Sequence, residues 1–326
     1  MNIGIVGAGA IGGYLGVMLA LAGDDVTFIA RGASLAAIRA NGMKLIMADG
    51  TEHVAAVRAV QDMAAAGPQD AVIVAVKANV LPELAPAMRA LYAEHTTVVT
   101  AQNGIPWWYF YRSGGEHEGY QIKAADPDGV LAHTIEPERV IGAVVYPAAE
   151  KIAPGVIVHK YGNRFLLGEP DGSRSERVQQ LSVRLTQAGF KAPVRSDIRS
   201  DIWVKLWGNL AFNPVSALTR ATLEELATDA LVAPVIHQMM YEGQQIGERL
   251  GVRFPISIEQ RMQGAREAGA HKTSTLQDIE AGRETEIEAL LGTVLELGQL
   301  TGVDTPILRS MYACVKLLEA KQMQRR

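Results

Sequence analysis

Apolar positions along this chain follow two different periods. Met1 to Val6 is a short run holding Ile3, Ile5 and Val6, the length of a strand buried on both faces. Glycines follow, and then helical spacing from Ile11 to Leu21. Asp25 to Ala30 is β-branched and aromatic, and Ala71 to Val76 is another buried run. A helical stretch around Leu81 to Tyr92 leads to a strand from Thr96 to Ala101, ending at Gln102-Asn103-Gly104. Strands alternating with helices predict a parallel, doubly wound sheet. Val140 to Tyr146 and Gly155 to Leu167 read as further strands, the latter as a hairpin. A helix from Ser175 to Ala188 closes this half.

From Asp197 onward the spacing is helical almost throughout. Breaks at Pro214, Gly251, Pro255, Gly282, Gly302 and Pro306 divide it into several helices. The expected fold is α/β: an N-terminal Rossmann-type doubly wound sheet over residues 1–195 and a C-terminal all-helical domain over 196–326, with the reaction in the cleft between them. The stretch from Trp107 to Glu138 is less regular, and its Asp126-Pro-Asp-Gly129 turn suggests a flap or hairpin over that cleft. Met239-Met240 and Leu290-Leu291 could support a homodimer, although such residues more often form core. The basic end from Lys321 to Arg326 reads as a frayed, solvated tail.

Composition agrees with two packed domains: 326 residues, 48% hydrophobic and 20% charged. A net charge of −4 argues against a nucleic-acid partner, which calls for a basic surface. The single cysteine, Cys314, excludes an internal disulfide framework and any multi-cysteine metal site, and fits a reducing cytoplasm. No metal site is expected. Asn2 to Gly23 carries no charge and could mimic a membrane span or signal sequence, but no Lys or Arg precedes it and glycines are scattered through it. It reads better as strand, turn and buried helix, so no membrane partner is expected.

The turn itself is Gly7-Ala8-Gly9-Ala10-Ile11-Gly12, fitting G-x-G-x-x-G directly after a strand and before an apolar helix. The first glycine allows the tight turn, the second admits a pyrophosphate to the backbone, and the third lets helix pack on strand. The anion would sit at the helix N-terminus. At the end of the second strand, where a carboxylate would hold the ribose hydroxyls of NAD, stands Ala30-Arg31-Gly32. A guanidinium pairs with a 2′-phosphate that a carboxylate would repel, so NADP(H) is the expected cofactor. In the helical half, Lys205, Asn209 and Asn213 are spaced i, i+4, i+8 and share one stripe. Ile202, Leu206 and Leu210 form an adjacent stripe, with Trp203 and Trp207 beside it. Spacing alone leaves two readings of the polar stripe, a ligand-facing wall or a solvated face.

Together these residues resemble the ketopantoate reductase (2-dehydropantoate 2-reductase) family over nearly the whole chain. The shared features are Gly7 to Gly12, Arg31, Lys77, Gln102-Asn103-Gly104, Trp203-Val-Lys205-Leu, Asn209, Asn213-Pro214, Ser274 with Leu276-Gln277-Asp278, and Thr285-Glu286-Ile287. The resemblance implies NADPH-dependent reduction of a small branched 2-oxo acid, with ketopantoate to pantoate, a step of pantothenate biosynthesis, as the leading candidate. It implies Lys205 as general acid and Glu286 as a partner that reaches the cofactor or orients Lys205. Asn103, Asn209, Asn213 and Ser274 would hold substrate, Lys77, Asn103 and Ala148 the cofactor. Other readings of these residues stand beside it. Ser274 and Gln277 fit a helix capping box, and Glu286 could be one of three surface carboxylates with Glu284 and Glu288.

The chain departs from the family at two places. Leu223-Glu224-Glu225-Leu226 stands where the family has Asn-Gly-Glu-Leu, and His271-Lys-Thr273-Ser274 where it has Asn two residues before Ser-Ser. Two amides expected near the substrate are therefore replaced, which leaves room for a dehydrogenase or reductase of a different 2-oxo or hydroxy acid. A non-catalytic NADP sensor would need the glycine turn and Arg31 but not Lys205.

Overall fold

A computed structural model describes residues 1–324. These form two compact units, the first from Met1–Gln102, Pro106–Gln121 and Asp128–Ile198, the second from Asn103–Ile105, Ile122–Pro127 and the chain from Arg199 on. Short loops of the N-terminal half thus belong to the C-terminal unit.

The first unit contains eleven strands: β1 (Asn2–Val6), β2 (Asp25–Ile29), β3 (Met43–Ile46), β4 (Glu52–Ala55), β5 (Arg58–Val60), β6 (Gln69–Val74), β7 (Tyr92–Thr100), β8 (Val140–Val145), β9 (Ala148–Ala153), β10 (Val156–Tyr161) and β11 (Phe165–Gly168). Its helices are α1 (Ala10–Leu21), α2 (Gly32–Asn41), α3 (Met63–Ala66), α4 (Leu81–Met88), α5 (Val130–Thr134) and α6 (Glu176–Gln187). Seven strands make one sheet in the order β11-β8-β7-β6-β1-β2-β5. All its pairings are parallel except β11 with β8. In the centre, Ile5 lies between Phe28 and Ile73 and is fully buried. Strand order reverses between β1 and β6, so the loop after β1 opens at the switch point where such sheets bind ligands. The expected Rossmann-type fold is present.

A second sheet, β4-β3-β10-β9, was not foreseen from the sequence. It includes β10, so the chain leaves one sheet at Tyr161 and enters the other at Phe165. The hairpin expected over Gly155 to Leu167 does not form, and β10 pairs back onto β9 instead. This second sheet covers α1. A Cβ on Gly13 would lie 2.5 Å from Ile157 of β10, and one on Gly16 would lie 2.8 Å from Ile5 of β1. Helix α1 is therefore held between two sheets, which explains why its sequence is apolar on every side. Among the described residues, no helix is long and apolar enough to cross a membrane.

The segment from Trp107 to Glu138 forms neither flap nor hairpin. Trp107, Trp108, Tyr109 and Phe110 are buried, and Trp108 Nε1 donates to Thr100 Oγ1 at 3.2 Å. Turns and α5 make up most of the remainder. Burial of four aromatic side chains anchors this stretch as core.

Helices of the second unit are α7 (Ile198–Thr219), α8 (Leu223–Thr228), α9 (Ala233–Arg249), α10 (Ile258–Glu267), α11 (Ser274–Glu280), α12 (Thr293–Thr301) and α13 (Pro306–Met323), with a π-helical turn over Glu288–Gly292. Helix α7 runs straight through Pro214, contrary to the break expected there. Proline removes one ladder hydrogen bond, but Leu210, Ala211, Phe212 and Val215 around it are buried, and their packing outweighs that loss. The helix stops at Arg220, which takes a left-handed φ of 62° and donates its N–H to the Ser216 carbonyl. Capping boxes open α8 (Thr222 with Glu225) and α10 (Ser257 with Gln260). Met239, Met240, Leu290 and Leu291 are core residues. The basic end is helical through Met323 rather than frayed from Lys321, and its last two positions lie outside the described residues.

Candidate functional site

The carboxyl ends of β1, β2 and β6 lie along one edge of the seven-stranded sheet and carry Gly7 to Gly12, Arg31 and Lys77. Gly7 has a φ of +109°, and a Cβ there would lie 2.7 Å from Val76. A Cβ on Gly12 would come within 3.1 Å of both Ile5 and Ala75. Gly9 differs from both: the nearest atom to a Cβ there is the Ala75 carbonyl oxygen, 3.9 Å away. Two glycines are thus demanded by packing, while the third leaves open space at the N-terminus of α1. No side chain caps that terminus and its first turn holds no acidic residue, so free N–H groups and the helix dipole face that space. These residues fit a dinucleotide pyrophosphate.

Arg31 is exposed at the end of β2 and occupies the N-cap of α2, with no carboxylate beside it in sequence. Lys77 is half-buried in the loop after β6, whose Val76 carbonyl accepts from Gln102 Nε2 at 2.9 Å. Ala148 begins β9 in the second sheet. None of these placements requires NADP(H) for the fold.

Within the second unit, Lys205 Nζ donates to Asn103 Oδ1 at 2.6 Å, and Asn103 Nδ2 lies 3.4 Å from Glu286 Oε2. Burial pulls the Lys205 ammonium down from its ordinary value to about 8, while the Glu286 carboxylate pulls it upward. Asn103 reaches this position through the next residue. Gly104 has a φ of +87°, and a Cβ there would lie 2.7 Å from the Ala289 carbonyl carbon. Ile105 N–H donates to the Ala289 carbonyl at 3.3 Å, which docks the loop on the π-helical turn just after Glu286. The Asn-Gly pair was legible as a turn; its docking partner was not.

The stripe on α7 is organised as its spacing predicts. Ile202, Trp203, Leu206, Trp207 and Leu210 are buried, while Lys205 and Asn209 are partly exposed and Asn213 is nearly covered. No hydrogen bond holds the Asn209 or Asn213 amide among the described residues. Both amides are thus uncommitted along the stripe that carries Lys205.

The structure also sorts the three carboxylates. Glu288 accepts from Tyr312 and pairs with Lys316 at 2.8 Å, Glu284 is exposed, and Glu286 reaches Asn103. The cap of α11 is Thr273, whose hydroxyl accepts from Leu276 N–H at 3.2 Å. The capping box considered for Ser274 therefore does not form, and Ser274 stands exposed on the first turn with its hydroxyl not committed to capping. Leu223 and His271, the two departures from the family pattern, are joined by a 3.0 Å backbone hydrogen bond from Leu223 N to His271 O. Burial holds the His271 imidazole below its ordinary pKa.

A switch-point glycine turn, and an ammonium bonded to an amide that a carboxylate holds in turn, are features of a nicotinamide-dinucleotide oxidoreductase. Family models for "Ketopantoate reductase PanE/ApbA" and its C-terminal counterpart match residues 3–113 and 197–319. The chain belongs to the ketopantoate reductase family, whose members act on small molecules. It is 52% identical to a 2-dehydropantoate 2-reductase of Mesorhizobium japonicum, over 99% of each chain. A crystal structure of a candidate ketopantoate reductase from Ralstonia solanacearum superposes with a TM-score of 0.94 at 42% identity, over 98% of each chain. A PanE/ApbA family ketopantoate reductase from Ralstonia eutropha gives a TM-score of 0.85 at 28% identity, covering 99% of this chain and all of the other.

Proposed function

We propose that this protein reduces a small branched 2-oxo acid with NADPH, ketopantoate to pantoate being the leading reaction. The observation that carries this reading is the Lys205–Asn103–Glu286 chain, with its ammonium near a pKa of 8. When bound, the dinucleotide supplies the hydride. Gly7, Ala8, Gly9, Ala10, Ile11 and Gly12 receive its pyrophosphate, Arg31 pairs with the 2′-phosphate, and Lys77, Asn103 and Ala148 complete its binding.

Reduction of a ketone builds negative charge on its oxygen. Lys205 Nζ stabilises that charge and delivers the proton. An unperturbed lysine is a weak acid at neutral pH, and desolvation brings this one closer to the working range. Asn103 fixes the direction of the ammonium by accepting one of its three N–H bonds. Glu286 holds the other end of that amide and keeps Lys205 protonated. Asn209 and Asn213 offer amides along the same stripe for the substrate, and Ser274 offers a hydroxyl.

A different 2-oxo acid is the second reading, favoured by Leu223 and His271 at positions where the family has amides. The deciding measurement is NADPH oxidation with ketopantoate and with a panel of branched and hydroxylated 2-oxo acids, using Lys205→Ala as control. Turnover that vanishes in the variant while NADPH binding persists supports the reductase. A protein that binds NADPH and turns over nothing in either form is a sensor.

A further inference from the structure

Glu319 lies near the end of α13, and its side chain is only 14% exposed. A carboxylate held that far out of water calls for partners, and Glu319 finds them in one place. Its Oε1 accepts from the Thr285 backbone N–H at 2.8 Å and from the Thr285 hydroxyl. That hydroxyl in turn accepts from the Ile287 N–H at 3.2 Å. Thr285 and Ile287 are buried, and the residue between them is Glu286. One carboxylate on α13 thus fixes the backbone on both sides of Glu286.

The segment needs such a fixture. Residues 283–286 are neither helix nor strand, and the π-helical turn follows at Glu288–Gly292. Irregular backbone has many conformations of similar energy, so local structure by itself would not hold Glu286 in one position. Hydrogen bonds to a charged acceptor are about twice as strong as neutral ones, and two converge here on one oxygen. On the same face of α13, Tyr312 and Lys316 hold Glu288 at 2.7 and 2.8 Å. Lys316 lies among the carboxylates of Glu284, Glu288 and Glu319, 4.0 Å from the last, so the charge of Glu319 is partly balanced. The stretch so anchored holds the Asn103 loop twice. Glu286 meets the Asn103 amide at 3.4 Å, and the Ala289 carbonyl accepts from the Ile105 N–H at 3.3 Å.

We propose that Glu319 is a positioning residue: by holding Thr285 it sets where Glu286 meets Asn103, and through Asn103 the direction of the Lys205 ammonium. Glu319 acts through Thr285, Glu286 and Asn103, so its effect falls on the rate of the chemical step and not on the affinity for either ligand. The consequence for rate rests on the reading of Lys205 as the acid of a reductase; the coupling of Glu319 to Lys205 does not. A carboxylate that merely fastened α13 would change stability and leave the Lys205 ammonium as it was.

The test compares Glu319→Ala, Glu319→Gln and Thr285→Val with wild type in kcat, KM, pH profile and urea melts. Glu319→Ala lowers kcat for a 2-oxo acid about tenfold, while KM for the acid and for NADPH changes less than about threefold. Its alkaline limb moves to lower pH, because Glu286 is the carboxylate that raises the pKa of the Lys205 ammonium. Glu319→Gln keeps an oxygen that accepts both Thr285 hydrogens and so keeps most of the rate, which separates geometry from charge. Thr285→Val keeps the backbone bond but loses the hydroxyl, and lowers kcat about threefold. In a Glu286→Gln background Glu319→Ala shifts the limb no further, since the two act in one chain. Heteronuclear NMR titration of Lys205 Nζ reads the same shift without turnover. A lower melting midpoint in Glu319→Ala with kcat and the Lys205 titration unmoved overturns the proposal, as does an equal shift in the Glu286→Gln background. Absent turnover in wild type, combined with a Lys205 titration that Glu319→Ala still shifts, overturns the reductase reading and leaves the positioning role standing.

Discussion

Lys205 and Asn103 stand 102 residues apart in sequence and 2.6 Å apart between Nζ and Oδ1. Lys205 belongs to a helix that opens the second unit. Asn103 belongs to a three-residue loop that leaves a sheet of the first and packs with the second. The amide oxygen fixes one N–H of the ammonium and leaves two for a substrate oxygen. Removing the ammonium in Lys205→Ala lowers kcat for reduction about a hundredfold or more, with NADPH affinity kept, as read by steady-state kinetics and fluorescence titration. Retention of most of the rate would exclude Lys205 as the acid.

The pH profile follows from the same group. In the proposed reaction, reduction needs the protonated ammonium, whose pKa in the folded protein is about 8. Thus kcat/KM for reduction is flat below that value and falls up to tenfold per pH unit above it. Oxidation of the hydroxy acid needs the neutral amine and rises through the same range. Because the Glu286 carboxylate holds the pKa up, Glu286→Gln moves both limbs to lower pH. A shift to higher pH would contradict the role assigned to Glu286.

Gly104→Ala separates positioning from chemistry. The alanine must adopt a φ of +87° and meets the Ala289 backbone. The variant loses about 1–3 kcal/mol of stability in urea melts. It also loses kcat, because Asn103 no longer meets Lys205. Gly9→Val has the opposite pattern. Its φ of −84° suits any residue and its surroundings are open, so stability stays within about 0.5 kcal/mol while NADPH binding weakens at least tenfold.

Thr273 and Ser274 are neighbours with separable effects. Thr273→Ala removes the cap of α11 and costs about 1 kcal/mol in denaturant melts. Ser274→Ala leaves stability nearly unchanged and raises KM for the 2-oxo acid several-fold. If Ser274→Ala destabilises as much as Thr273→Ala and leaves KM alone, Ser274 has no role in substrate binding.

The proposed use of NADPH rests on Arg31. Replacing it with Asp removes the partner of a 2′-phosphate and adds a repulsive charge, so the preference for NADPH over NADH falls by at least tenfold in kcat/KM. An unchanged preference would place the selectivity elsewhere.

Local order carried much of this protein. The uncharged run into Gly7, the glycine turn and the α7 stripe each depend on residues within a few turns of one another, where period and spacing dictate structure. The sequence therefore specified the parallel sheet, the glycine turn after its first strand and the shared face of Lys205, Asn209 and Asn213. Other features needed partners far along the chain. The second sheet joins Met43–Ile46 to Val156–Tyr161, strands too short to announce themselves, and only their packing on Gly13 explains an α1 that is apolar all round. Pro214 remains helical because its neighbours are buried, a tertiary effect that overrides local propensity. Tertiary structure alone chose Glu286 among three carboxylates and Thr273 over Ser274 as the cap. Both choices depend on which distant backbone and side chains the fold brings alongside, and no local spacing encodes that.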